Sequence, residues 1–162
     1  MIRGREMAQA FDGDLKLDAY LPYRLSAASN AVSGLIARAY QDRFGLTIPQ
    51  WRLICVLAED GGLTQGQLVS RTLMDKVTVS RAGQGLLKRH LVGRSDHHAD
   101  GRSHVLTLTA EGAGLYAEIA PLALAYEAAL IAGLAPDEVA LLKRLLARLQ
   151  SAAGHLAGDA ST

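Results

Sequence analysis

Apolar positions recur at helical spacing along most of this chain, and residues that stop or start helices separate the recurrences. Tyr20, Leu21, Leu25, Ala28, Val32, Leu35, Ile36 and Ala39 form one apolar stripe, which predicts a long helix over residues 15–44 ended by Gly45. Pro22 falls inside that stretch, so the helix either starts there, with Pro22 in its first turn, or is kinked. Pro49 opens a second helix with Trp51, Ile54, Cys55, Leu57 and Ala58 inside, and Asp60-Gly61-Gly62 stops it. Further on, Thr109 is placed to cap a helix whose first turn carries Glu111, where the helix dipole favours a carboxylate. That helix is expected to run to about Ala132, before Gly133. A last helix opens at Pro136-Asp137-Glu138 and carries Val139, Leu141, Leu142, Leu145, Leu146 and Leu149. Residues 1–14 and 157–162 are expected to be flexible.

Between these helices, residues 64–109 break the pattern. Thr64 and Gln67 have the spacing of a capping box and open a short helix with Leu68, Val69 and Leu73 on its apolar side. Asp75 is placed to cap the next helix, in which Val79, Gly83, Leu86, Leu87 and either His90 or Leu91 face the core. The opposite face presents Lys76, Val77, Thr78, Ser80, Arg81, Gln84 and Lys88, with no carboxylate after Asp75. Alone, such a face is that of a solvated basic helix or of a DNA reader. The following residues favour the reader: Arg94 and then Arg102-Ser103-His104-Val105-Leu106-Thr107-Leu108 read as two short strands, with turn chemistry at Asp100-Gly101. A helix-turn-helix followed at once by a basic hairpin is a winged helix, whose second helix enters a major groove while the wing reaches the minor groove. The fold class expected is therefore mainly α with a small β-hairpin wing.

Composition sharpens this picture. An apolar share of 49% with only 5% aromatic residues fits an Ala/Leu-rich helical protein of 162 residues, long enough for a substantial core. No apolar run looks long enough to span a bilayer, the N-terminus lacks a signal-like apolar region, and the lone cysteine excludes an internal disulfide; the expectation is a cytoplasmic protein without membrane contact. The net charge of +1 is unevenly spread. Residues 71–104 hold seven cations against three acids, a local balance of +4, whereas residues 110–162 stand at −3. Phosphate attraction acts over a Debye length of roughly 8–10 Å, so this local excess counts for more than the total.

Five strings in order resemble the MarR family of winged-helix regulators: Leu46-Thr47-Ile48-Pro49-Gln50-Trp51-Arg52, Asp75-Lys76-Val77-Thr78-Val79-Ser80-Arg81, Leu91-Val92-Gly93-Arg94, Asp100-Gly101-Arg102-Ser103 and Leu106-Thr107-Leu108-Thr109-Ala110-Glu111-Gly112. The resemblance implies an obligate homodimer on a palindromic operator of double-stranded DNA, with release by a small ligand. It also implies that Asp100 pairs with an arginine to hold the hairpin. On this reading residues 46–109 are the DNA-binding region, and 15–45 with 110–156 the helical dimerisation region. The DNA contacts expected are Lys76, Thr78, Ser80, Arg81, Gln84, Lys88, Arg94 and Arg102. The dimer interface is expected from Tyr20, Leu21, Leu25, Leu142, Leu145, Leu146 and Leu149. The family's pockets direct attention to Tyr23, Arg24, Ser26, Asn30, Trp51, Arg52 and Tyr116. There Arg24 and Arg52 would pair an anionic group and the aromatics would stack on a ring, suggesting an aromatic acid or its CoA thioester. The alternative for Arg52 is an ion pair within the fold, and for Tyr116 a place in the core.

Other chemistry is weaker. Cys55 lies in an apolar helical stretch with no second cysteine, so a core thiol is favoured over a redox sensor. His97, His98, Asp100 and His104 do not form a converging metal set, and neither a metal nor a cofactor is expected. No phosphate loop, nucleophile elbow or zinc-protease motif is present, which argues against an enzyme. The competing non-enzymatic reading is an architectural dimer that binds DNA without a ligand, or binds only a protein partner.

Overall fold

The computed structural model describes residues 14–96 and 104–159. A 3-10 turn at Leu17–Ala19 precedes α1 (Leu21–Phe44), α2 (Ile48–Asp60), β1 (Leu63–Thr64), α3 (Gln65–Thr72), α4 (Lys76–Lys88), β2 (Val92–Asp96), β3 (His104–Leu108), α5 (Ala110–Ile131) and α6 (Pro136–Asp159). The fold is the expected mainly helical one with a hairpin wing, to which β1 adds a third strand.

Pro22 settles where α1 begins. Its ring would meet a helical carbonyl four residues upstream, so it is accommodated in the first turn and residues before Leu21 form the 3-10 turn instead of the helix expected from residue 15. At the other end Gly45 takes a left-handed φ of 61°. α2 starts with a capping box, Thr47 with Gln50, and with a proline in its first turn. It has the same Thr-x-x-Gln pattern as the box that opens α3.

The chain divides into two compact units. One is Ser29–Glu127; the other takes the described residues up to Ala28 and from Ala128. The first is wider than the expected DNA-binding span because its core recruits Ala37 and Tyr40 from α1 and Ile119 from α5, with Leu46, Leu53, Ile54, Leu57, Leu68, Val79, Leu86 and Val92. Several core assignments shift. Leu53 is fully buried whereas Ala58 is exposed, because the α2 stripe runs through Ile54 and Leu57 and leaves Ala58 on its outer edge. Leu73 is 73% exposed: it adopts the left-handed turn that ends α3, at φ 55°, which swings its side chain outward. Of the pair His90 and Leu91, Leu91 is buried.

The sheet has the order β1-β3-β2 and is antiparallel throughout, with Leu63 opposite Leu106 and Arg94 opposite Leu106 on the other side. Gly62 permits the approach of β1, since a Cβ there would lie 2.8 Å from Val105 Cγ1 and 2.9 Å from Thr107 Cγ2.

α5 corrects the expectation about apolar length. At 22 residues, with a mean hydropathy of 1.3 over its most apolar 18, it is long and apolar enough, by length and composition only, to cross a membrane. Glu118 and Glu127 interrupt every long apolar run, which hides this in the sequence, while the mean is carried by alanine, leucine and isoleucine. Its first half belongs to a protein core, with Gly112 and Ile119 buried. Pro121 lies inside the helix without ending it. α6 continues to Asp159, past the expected limit at residue 156.

The tightest joint lies where α5 starts. Thr109 caps it by accepting from Gly112 N–H at 3.0 Å, and its hydroxyl donates to His90 O at 2.7 Å. A Cβ on Gly112 would run into the carbonyl oxygen of Leu91, a backbone group with no side-chain torsion to yield. Gly112→Ala should therefore destabilise the protein by about 1–3 kcal/mol, as overpacking does. Gly114 has open space around it. Gly114→Ala should thus be neutral or raise stability by up to roughly 0.5–1 kcal/mol through helix propensity. Thermal or urea unfolding of the two variants side by side checks the pair, and equal effects would refute the joint.

Candidate nucleic-acid interface

α4, the helix expected to read DNA, is built by local rules. Asp75 caps it, accepting from Thr78 N–H at 2.8 Å and from Thr78 Oγ1 at 2.6 Å. The hydroxyl bond first, then the backbone bond, holds the Asp75 carboxyl below its ordinary pKa, so the cap is ionised at neutral pH. Upstream, the Thr64 and Gln67 capping box closes as expected, and Gln65 Nε2 donates to Lys76 O at 3.3 Å, tying α3 to the start of α4. The inner face of α4 buries Val79, Ala82, Gly83 and Leu86. Ala82 and Gly83 keep this face slim enough for β3 to come close: a Cβ on Gly83 would sit 3.2 Å from Leu106 Cδ1.

The outer face leaves Lys76, Val77, Arg81, Gln84 and Lys88 exposed, with Thr78 and Ser80 half-buried. Among the described residues no carboxylate forms an ion pair with Lys76, Arg81, Lys88 or Arg94. Two clefts flank the face. One of about 480 Å³ lies between the helix-turn-helix and the wing, with Ser80, Gln84, Arg94 and His104 in its lining and Leu68, Val79, Leu87 and Leu106 as its apolar part. The other, of about 410 Å³, is lined by Gln65, Lys76, Val77, Ser80, Arg81 and Gln84. Ser80 and Gln84 line both clefts, so the structure brings them together with Lys76, Arg81 and, across the wing, Arg94. Lys88 lies on the same helix, one turn beyond Gln84. Thr78 is different, since its hydroxyl is engaged by Asp75. Arg102 and Asp100 lie outside the described residues, as do His97 and His98. Among the described residues no group of three metal-binding side chains occurs.

Two cations of the basic segment are exposed but engaged by the fold itself. Arg71 pairs with Asp60 and, at 3.2 Å, with Glu59, linking α3 to the end of α2 and pulling the Asp60 pKa down through that hydrogen bond. Arg89 donates to Phe44 O at 2.7 Å and Gly45 O at 3.1 Å. In the sequence these arginines are indistinguishable from groove-facing ones. Val77, 58% exposed in the first turn of α4, is the apolar member of the outer face.

The expected ligand residues fall in both units. Tyr23, Arg24 and Ser26 are exposed in the first turns of α1, while Asn30, Trp51, Arg52 and Tyr116 belong to the Ser29–Glu127 unit. Trp51 stacks on Tyr40 at 5.5 Å between ring centroids and on Tyr116 at 5.8 Å. These rings pack on each other, which is the core alternative for Tyr116, and Tyr40 is a member of the stack that sequence reasoning placed nowhere. Arg52 is exposed, and no carboxylate pairs with it among the described residues. Burial raises the Tyr40 pKa, with Arg52 opposing. Cys55 is half-buried; burial first, and then the charge of Glu59, push its thiol up to about 12.

The MarR family profile matches residues 44–103, from the end of α1 to the wing. A MarR family transcriptional regulator from Silicibacter pomeroyi is 31% identical, with a TM-score of 0.72 over 84% of this chain and 91% of that one. The chain belongs to the MarR family. Transcription regulation and DNA binding through a winged helix come with that membership, and the family is one of regulators, not enzymes. The MarR-family chain is also similar to NadR in complex with 4-hydroxyphenylacetate, at 30% identity and TM-score 0.71 over 85% of this chain and 97% of that one. A third similar structure is that of Bordetella bronchiseptica BpsR, whose DNA binding is regulated by 6-hydroxynicotinic acid, at 26% identity and TM-score 0.79 over 85% and 98% of the two chains.

The Cys55 geometry gives this MarR-family regulator a measurable property. With a thiol pKa of about 12, roughly one molecule in 10⁴ is thiolate at pH 8. An ordinary cysteine near 8.5 is about one-quarter ionised there. Cys55 should react with a disulfide reagent at pH 8 at least about tenfold more slowly in the folded protein than in guanidinium, because the loss of thiolate outweighs the greater nucleophilicity of a high-pKa thiolate. Equal rates in the two states would overturn the assignment of an inert core thiol.

Proposed function

We propose that this regulator binds a palindromic operator as a homodimer, acts as a repressor in the cytoplasm, and is released by a small aromatic carboxylate. The observation that carries the DNA part is the outer face of α4: Lys76, Arg81, Gln84 and Lys88 are exposed, none pairs with a carboxylate among the described residues, and Arg94 is exposed on the adjoining wing strand. Arg81 is assigned a bidentate base contact, with Ser80 and Gln84 as neighbouring readers, while Lys76, Lys88 and Arg94 hold phosphates. Thr78 serves through the cap. Arg102 is assigned to the minor groove at the wing tip.

The dimer part is supported by α6. All of its described side chains are exposed except Val139, which is half-buried, and Leu142, Leu145, Leu146 and Leu149 lie on it at 40–46% exposure with i, i+3, i+4, i+7 spacing. Tyr20 and Leu21 are exposed as well, with Leu25 half-buried. A long helix with a leucine stripe and almost nothing buried lacks its packing partner, and a second copy supplies one. Two readers must stand about 34–36 Å apart to enter successive major grooves, so a fixed dimer is also what a palindrome demands. The helices at 15–45 and 110–156 are assigned to that role and 46–109 to reading.

For the effector, the support is chemical. NadR is found in complex with 4-hydroxyphenylacetate and BpsR is regulated by 6-hydroxynicotinic acid, both hydroxylated aromatic acids. Arg24 and Arg52 are exposed guanidiniums suited to a carboxylate, and Tyr23, Ser26 and Asn30 are exposed groups suited to ring or hydroxyl contacts. Trp51 and Tyr116 contribute only what their mutual stacking leaves.

Selection from a random duplex library is the direct test of the operator reading. The wild-type protein should enrich a palindrome, and Arg81→Ala should lose about 1–3 kcal/mol and relax preference at one position per half-site. Enrichment of a single unrepeated site, or of none, would instead favour a ligand-independent architectural binder; unchanged affinity in Arg81→Ala would remove that residue from the interface. A thermal-shift series of hydroxylated benzoates, phenylacetates and their CoA esters tests the effector. A binder should raise the melting temperature and release the selected palindrome, and a series without a single binder would defeat the aromatic-acid reading.

A further inference from the structure

The recognition helix is fastened differently at its two ends. Among the described residues, the hydrogen bond that ties its first turn to another helix runs to α3, from Gln65 to Lys76 O. Its last turn is tied to two other helices. α4 closes in a Schellman turn, with His90 N–H donating to Leu87 O and Leu91 N–H to Leu86 O, both at 3.0 Å, and His90 at φ 56°. That turn presents Arg89 to the C-terminus of α1, where Nη2 meets Phe44 O at 2.7 Å and Nη1 meets Gly45 O at 3.1 Å. Carbonyls at a helix end lack intrahelical donors and carry the negative end of the dipole, so a planar cationic fork suits them. The next two carbonyls reach α5: His90 O accepts from Thr109 Oγ1 at 2.7 Å, and Leu91 O accepts from Thr109 N–H at 3.2 Å.

We propose that Arg89 is a positioning residue for DNA reading: its guanidinium fixes the pose of α4 against α1 and does not touch the duplex. The proposal rests on the operator-binding reading above. Both faces of its logic are geometric. The two donors are directed at backbone of the same chain, so the charge is turned away from the phosphates that the basic segment attracts. Released from α1, α4 keeps its capped first turn and buried stripe but can pivot about the Schellman turn. Base contacts such as that assigned to Arg81 need close alignment with a donor-acceptor pattern, whereas phosphate contacts tolerate displacement. Loss of the clamp should therefore reduce discrimination more than general affinity.

The experiment compares wild-type, Arg89→Gln and Arg89→Lys proteins on the palindrome that wild-type selects and on a scrambled duplex of equal composition, across a salt series. Arg89→Gln should bind the palindrome about tenfold more weakly and the scrambled duplex less than about twofold more weakly, with the slope of log K against log salt unchanged. Arg89→Lys, which keeps the charge and a single donor, should recover part of the loss. An equal loss on both duplexes with a slope shallower by about 0.9 per chain would show a phosphate contact and overturn the proposal. So would a lowered melting temperature with an unchanged palindrome-to-scramble ratio, which is packing alone. Should Arg89→Gln fail to fold, Arg89→Lys decides: weaker palindrome binding at unchanged slope upholds positioning, and unchanged binding overturns it. A wild-type protein that selects no palindrome fails the operator reading itself, visibly before any Arg89 variant is measured, and the positioning role falls with it.

Discussion

A reading helix has to bury one side of its cylinder and leave the other unpaired. The exposed side contributes little to holding it, so among the described residues α4 is secured by Val79, Ala82, Gly83 and Leu86 behind it, with Leu87 packed beside them, and by its two ends. Much of the surrounding unit follows from that constraint. Small residues at 82 and 83 bring β3 within contact of the helix, and β1 closes on the far edge of β3 because Gly62 leaves room. The wing is therefore packed on the back of the reader, which places Arg94 beside Ser80 and Gln84 along one cleft.

What the sequence discloses and what it hides divide by range. Thr64 with Gln67, Asp75 with Thr78, and Thr109 with Gly112 each act over three residues, and their side-chain chemistry alone identifies them. Thr47 with Gln50 carries the same pattern, although the sequence reading places the start of that helix by Pro49 alone. The outer face of α4 was readable from its period of 3.6. Contacts between distant segments were not. A strand of two residues such as β1 has no periodicity of its own and exists only because β3 lies beside it. Arg71, Lys88 and Arg89 are equivalent in a list of charges and all exposed, yet one meets carboxylates, one pairs with no carboxylate among the described residues and one meets backbone carbonyls. Leu73 scored as core because it is a leucine, but a left-handed backbone turned it out.

The segregation of apolar surface has a thermodynamic side. The core of Ser29–Glu127 is continuous and holds every fully buried large side chain, from Tyr40 to Ile119. α6 buries none of its described side chains. If its leucine stripe is covered by a second copy, stability becomes a function of protein concentration, because association and folding of that helix are then linked. The charge is segregated along the chain as well, at +4 over residues 71–104 and −3 over residues 110–162.

The stack of Tyr40, Trp51 and Tyr116 contains the chain's single tryptophan. One ring comes from α1, one from α2 and one from α5, so the indole sits where three helices of the same unit converge. Its emission depends on how closely the tyrosines approach and on how dry the site is. The protein thus carries an intrinsic optical gauge of that convergence, free of overlap from a second indole, and relative movement of α1, α2 and α5 can be followed in real time without attaching a dye.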